Sequence, residues 1–136
     1  MITKKLEVRI RYSETDKMGY VYYGNYARYF EIGRTELLRS FNFSYKELEE
    51  QGVMMPVVSL NVNYKQPALY DDLLRIKTFV KKLPSVKMEF NYETYNENNE
   101  LLNSGSTILV FVSAETRRPV KAPSSLMSLI ESNFVQ

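Results

Sequence analysis

The chain has no cysteine, no histidine and no tryptophan, and only five glycines and five prolines in 136 residues. Without cysteine there are no disulfides, thiolate metal sites or thiol nucleophiles. That suits a reducing compartment, and a cytoplasmic location is the expectation. Without histidine the commonest zinc ligand and the usual neutral-pH acid–base group are missing, so acid–base chemistry falls on Asp, Glu, Lys or Tyr. No metal and no resident cofactor are expected. No run approaches the roughly 18 apolar residues of a membrane helix. The start, Met1-Ile2-Thr3-Lys4-Lys5-Leu6-Glu7, carries charge where a secretory leader needs an apolar core. Neither sign of charge dominates: 18 Lys and Arg against 16 Asp and Glu leave +2, too little to point to nucleic acid.

What is present is aromatic: 11 tyrosines and 7 phenylalanines, residues suited to half-buried sheet faces and interfaces. The length suits a single domain, 1–136, with one core. Residues 5–12 alternate as a half-buried strand, with Leu6, Val8, Ile10 and Tyr12 on one face. After a polar, glycine-containing loop from Ser13 to Gly24 the period changes. Tyr26, Tyr29, Phe30, Gly33, Leu37 and Phe41 share one face of a long helix. Asn25 is the expected N-cap, and Arg28, Glu31, Arg34, Thr35 and Arg39 are assigned to the solvent side. Gly33 in the apolar stripe costs about 1 kcal/mol relative to Ala, which close packing against a sheet would justify. Ser44 and Glu47 are spaced to cap a short second helix up to Gln51.

The rest reads as strands. Val58 to Tyr64, Leu74 to Val80 and Val86 to Tyr92 alternate, separated by turns at Gln66-Pro67-Ala68 and Leu83-Pro84-Ser85, with a hairpin at Asn96–Asn99. Ile108–Val112 is apolar on both faces, as in a central strand. A terminal helix opens at Pro123-Ser124-Ser125, with Leu126, Leu129, Ile130 and Phe134 on one side. A sheet with a segregated helix is an α+β architecture. One helix cannot cover both faces of five strands, nor their edges, so a homo-oligomer is expected.

Asp16 lies in the loop before the long helix. Its local sequence fits a turn or cap as well as a reactive carboxylate. A helix start offers unpaired N–H groups that polarise a carbonyl. Adjacent Asp71 and Asp72 would face opposite ways in a strand, and read as a strand start and turn.

Two motifs then combine. The first is Asp16, Gly19, Asn25 and Tyr26, followed by Tyr29, Phe30, Glu31 and Arg34; the second is Tyr64, Pro67, Ala68, Asp72 and Leu74. Together they resemble the hotdog-fold acyl-CoA thioesterases, in the branch of 4-hydroxybenzoyl-CoA thioesterase and the YbgC-like enzymes. The resemblance spans roughly residues 6–120. It implies a curved antiparallel sheet wrapped around a long central helix, paired into a homodimer or homotetramer with active sites at the subunit interface. It also implies hydrolysis of an acyl-CoA, or of an acyl-carrier-protein thioester. Asp16 would act as nucleophile or general base, with the backbone N–H near Tyr23 or Gly24 polarising the carbonyl. Many YbgC-like members carry histidine where this chain has Tyr23; the hydroxybenzoyl branch carries tyrosine. Glu31 resembles the family's helix Glu and is read as structural. Gly19, Tyr26 and Ser59 are the candidate substrate contacts, and Lys81 and Lys82 the candidate cations for CoA phosphates. A non-catalytic acyl-CoA binder is the alternative. A hotdog hydratase normally relies on histidine, which is absent here.

Overall fold

Alternating apolar and charged residues build β1 (Ile2–Arg9), the first strand in a computed structural model that describes residues 1–134. The strand keeps the predicted phase but begins earlier and stops before Tyr12. There Tyr12–Glu14 tighten into one 3₁₀ turn, because the Glu14 carboxylate accepts the Arg11 N–H at 2.7 Å. Tyr12 is consequently exposed rather than facing the core.

Helix α1 (Asn25–Arg39) buries Tyr26, Tyr29, Phe30, Gly33 and Leu37, the face its spacing predicts. Phe41 follows the helix and is half-buried. Two expectations are corrected. Gly24, not Asn25, is the N-cap, and it makes no side-chain cap. The Asn25 amide instead donates to the Glu14 carbonyl at 2.8 Å. Arg34 is not on the solvent side but buried, its Nε donating to the Tyr45 hydroxyl at 3.2 Å and its Nη1 reaching the Tyr92 hydroxyl at 3.5 Å. Helix α2 (Tyr45–Glu50) follows, with Ser44 Oγ accepting from the Glu47 N–H as its spacing predicts.

The remaining strands are β2 (Val53–Met54), β3 (Val57–Tyr64), β4 (Leu73–Val80), β5 (Lys87–Tyr95), β6 (Leu101–Val110) and β7 (Val112–Ser113). The main sheet is antiparallel in the order β1-β4-β5-β6-β3; β2 pairs with β7. The double-sided apolar run is the end of an internal strand, β6, that starts at Leu101; Val112 has passed into β7. The β5–β6 hairpin is held by Asn96 Oδ1, which accepts from the N–H groups of Asn98 and Glu100. Helix α3 (Ser124–Asn133) buries Leu126 and Ile130, and Phe134 packs against the same core.

The core lies between α1 and one sheet face. Phe30 stacks on Tyr92 at 4.2 Å, and Gly33 lets the helix backbone approach Thr78 of β4. Edge strand β3 differs from its neighbours. Val57, Val58, Leu60 and Tyr64 are 45–57% exposed, whereas alternate residues of β4 and β5 are fully buried.

Candidate active site

Asp16 opens a tight turn. Its Oδ1 accepts the N–H groups of Met18 (2.9 Å) and Tyr20 (3.1 Å), and its carbonyl accepts the Gly19 N–H at 3.0 Å. Gly19 sits at φ +83°, where a side chain would be strained. The turn reading of Asp16 therefore holds for one carboxylate oxygen. The other, Oδ2, has no hydrogen-bond partner among the described residues.

The next segment feeds α1. Val21 N–H binds the Ala68 carbonyl, Tyr22 N–H the Glu14 carbonyl and Asn25 N–H the Tyr22 carbonyl, at 2.8–2.9 Å. Between them, the N–H groups of Tyr23 and Gly24 make no hydrogen bond within the described chain. Two free donors at a helix start, with the helix dipole behind them, suit a developing negative charge.

A cleft of roughly 250 Å³ lies over this turn, with Asp16, Tyr23, Tyr26, Tyr64, Lys65 and Pro67 among its walls. The Tyr64 hydroxyl donates to the Tyr23 carbonyl at 3.3 Å, tying the end of β3 to the helix start. Burial pushes the Tyr26 phenol up to about 12, so it stays neutral and cannot serve as a base near pH 7.

Glu14 braces the loop from below. It is 3% exposed, pairs with Arg28 of α1 through Oε2 and accepts from Arg11 through Oε1. Burial alone would raise its pKa. The Arg11 N–H, the neighbouring Tyr29 hydroxyl and the Arg11 guanidinium outweigh that and hold the carboxyl below its usual range. The Tyr29 hydroxyl is itself buried and falls short of normal hydrogen-bond geometry. A lowered folded pKa gives stability that is present above the ordinary value of 4.5 and is lost as pH falls through the folded value. Glu14→Gln is expected to cost about 1.5–3 kcal/mol at pH 7, the range for a hydrogen bond to a charged group. It should also flatten the acid limb of stability against pH. Urea titrations at neutral and acid pH measure both.

The predicted residues divide. Asp16, Tyr23 and Tyr26 line the cleft, Gly19 shapes its turn, and Gly24 sits at the helix start beside a second groove along α1. Ser59, Lys81 and Lys82 do not join them within one chain. Ser59 pairs with Ile108 across the sheet, Lys81 borders a polar groove with Asn61 and Asn91, and Lys82 is exposed beyond β4. The cation in the cleft is Lys65, which follows the tyrosine of the second motif and was missed. Glu14 and Arg28 were missed as a pair because 14 positions separate them. Asp72 is a turn residue, its Oδ2 accepting the Leu69 N–H at 2.8 Å. Among the described residues no cluster of three or more Asp and Glu side chains could hold a metal. None of their helices is long and apolar enough to cross a membrane.

Comparison with known proteins identifies the family and the fold. The pattern of the Thioesterase-like superfamily matches residues 10–130. The chain is 35% identical over 121 residues to the Bacillus subtilis protein YneP, covering 89% of this chain and 88% of the relative. It is 33% identical over 121 residues to the acyl-CoA thioester hydrolase YbgC of Escherichia coli, covering 89% and 90%. Its fold superposes on the DHNA-CoA thioesterase of Staphylococcus aureus with a TM-score of 0.86 and 36% identity, covering 100% and 98% of the two chains. With motif, sequence and fold in agreement over nearly the whole length, the chain belongs to the Thioesterase-like superfamily of hotdog-fold enzymes.

Proposed function

We propose that the chain hydrolyses acyl-CoA thioesters to the free acid and CoA at the Asp16 cleft. One observation carries this reading: among the described residues, an Asp16 carboxylate oxygen and the Tyr23 and Gly24 N–H groups lack hydrogen-bond partners, and Asp16 and Tyr23 line one cleft at the helix start. The thioester carbonyl oxygen docks on the Tyr23 and Gly24 N–H groups. Asp16 either attacks the carbonyl carbon or takes a proton from the water that does. In either case the C–S bond breaks and the departing thiolate takes up a proton; on the nucleophilic route the acyl group is left as an anhydride on Asp16, which water hydrolyses to the free acid and the regenerated carboxylate. One such N–H donor is typically worth about 10²–10³ in rate. The tyrosine at position 23 needs no acid–base role here, because its backbone does the work. Lys65 supplies a cation for the CoA phosphates.

The test is thiol release across a panel of short, long-chain and aromatic acyl-CoA esters, measured beside CoA binding. Release above background supports the enzyme; binding without release from any ester supports the non-catalytic binder. Acyl-carrier-protein esters belong in the same panel.

The exposed apolar edge of β3 supports a dimer in which two β3 strands pair. That arrangement would cover Val57, Val58 and Leu60 and extend the sheet. Val58→Lys is expected to shift the protein toward monomer in light scattering. An unchanged dimer mass would place the interface elsewhere.

A further inference from the structure

The absences that limit the catalytic chemistry of this chain also narrow its oxidation chemistry. With no cysteine, histidine or tryptophan, its only sulfur is thioether sulfur, carried by six methionines. They are not equally reachable. Met88 is 1% exposed inside the core, and Met54, Met55 and Met127 are half-buried. Met1, at the chain start, is 44% exposed, and Met18 is 71% exposed, the highest of the six.

Position separates Met18 from the others more than exposure does. Its N–H donates to Asp16 Oδ1 at 2.9 Å, and the Tyr20 N–H returns to the same oxygen at 3.1 Å, so the turn holds the thioether beside the carboxylate. Its side chain lines the Asp16 cleft with Tyr20, Tyr23 and Tyr26. A thioether is apolar and polarisable, suited to those rings and to an acyl chain. The turn bridges through Tyr20 to Leu69, ahead of β4, and not to the β3 edge. The cleft has to admit its substrate in any assembly, so a small oxidant reaches Met18 wherever a thioester does. Oxidation reverses the character of this wall. A sulfur lone pair attacks one oxygen of hydrogen peroxide, the O–O bond breaks and an S–O bond forms. The proton on the transferred oxygen passes to the departing hydroxide, which leaves as water. Sulfur gives up two electrons and peroxide gains them. The product is a polar sulfoxide. Two positions from Asp16, its oxygen sets a second acceptor near Oδ2, which has no hydrogen-bond partner among the described residues.

We propose that Met18 is a reversible oxidation site controlling the Asp16 cleft: peroxide converts its thioether to the sulfoxide ahead of the other methionines and lowers activity, and methionine sulfoxide reductase restores it. The proposal rests on the thioesterase reading for its kinetic readout, but not for the chemistry of the site. The reversal balances as well: two thiols of the reductase system become a disulfide while the S–O oxygen leaves as water.

The experiment treats the full-length protein with hydrogen peroxide, destroys the excess with catalase, and follows each methionine by peptide mass spectrometry. The same samples give kcat/KM on an acyl-CoA that the untreated protein hydrolyses, and a calorimetric Kd for CoA. Met18 is expected to oxidise ahead of the other five. Activity should fall in step with its sulfoxide, to about 10-fold lower kcat/KM at full conversion. Methionine sulfoxide reductases A and B, one for each sulfoxide epimer, should together restore it with dithiothreitol. Met18→Leu keeps apolar bulk without sulfur, and should retain its own starting activity through the same treatment. Oxidation of Met18 no faster than of the other methionines overturns the proposal. So does unchanged kcat/KM at full Met18 conversion, a loss that the reductases do not reverse, or an equal fractional loss in Met18→Leu. If the untreated protein hydrolyses no ester, the thioesterase reading fails by itself. The oxidation site is then upheld if Met18 sulfoxide weakens CoA binding, and refuted if Kd is unchanged.

Discussion

Asp16→Asn is expected to lower kcat for thioester hydrolysis by about 10²–10⁴-fold, the usual worth of a positioned acid–base group, with little change in stability. The reason lies in the division of labour between the two carboxylate oxygens. Oδ1 holds the turn by accepting the Met18 and Tyr20 N–H groups, and an asparagine oxygen accepts both as well. Oδ2 has no partner to lose among the described residues. The exchange therefore removes charge and basicity while preserving the loop. Asp16→Ala provides the contrast: it removes the turn's acceptor too, and should lower both activity and unfolding midpoint. Kinetics on an acyl-CoA that the wild type hydrolyses, together with urea denaturation, separate the two variants. Near wild-type turnover in Asp16→Asn would mean that the free oxygen is not the reacting group.

Much of this site was legible in sequence because it is local. Asp16, Gly19, Tyr23 and Gly24 lie within nine consecutive positions, and a helix start follows from the change of hydrophobic period at Asn25. The same locality made α1, β4 and β5 readable, since each displays its buried face in its own spacing. What failed depended on partners distant in the chain. Arg34 looked like a solvent residue because its hydrogen-bonding groups, Tyr45 and Tyr92, lie 11 and 58 positions away. Glu14 has no signal of its own in the loop sequence; the fold brings Arg28 to its carboxylate and the Asn25 amide to its backbone carbonyl. Lys81 and Lys82 were chosen for their charge near a turn; within one chain Lys81, just past the end of β4, lines a polar groove away from the cleft. Strand β3 alternates like the others, but its position at the sheet edge leaves both of its faces largely exposed, which no periodicity reveals. Pattern determines which face of an element is apolar; topology determines whether anything covers it.

The second large effect is expected from Gly33→Ala, where helix propensity and packing oppose each other. Propensity favours alanine by about 1 kcal/mol in a helix interior. Packing forbids it. A Cβ at position 33 would overlap Thr78 Oγ1, and it would stand 3.6 Å from both Thr78 Cβ and Ile76 Cγ2. Thr78 and Ile76 are fully buried on β4, which is flanked by β1 and β5, so the strand cannot move away. Helix α1 must tilt or the threonine must turn, at an overpacking cost of about 1–3 kcal/mol. Net destabilisation of up to about 2 kcal/mol is the expected balance. The loss should also reach the chemistry, because α1 carries the Tyr23 and Gly24 donors at its start, and small misplacements of a reacting geometry cost about 10²-fold in rate. Thr78→Ala supplies the control. The Thr78 hydroxyl is buried without a hydrogen-bond partner among the described residues, so removing it sacrifices no bond seen there and opens space where the new methyl would go. The double variant Gly33→Ala/Thr78→Ala should therefore recover most of the stability and activity lost in Gly33→Ala alone. A coupling energy of at least about 1 kcal/mol in a urea double-mutant cycle is the signature. Simple additivity would show that the glycine is tolerated for another reason, and that α1 does not depend on close contact with β4 for its placement.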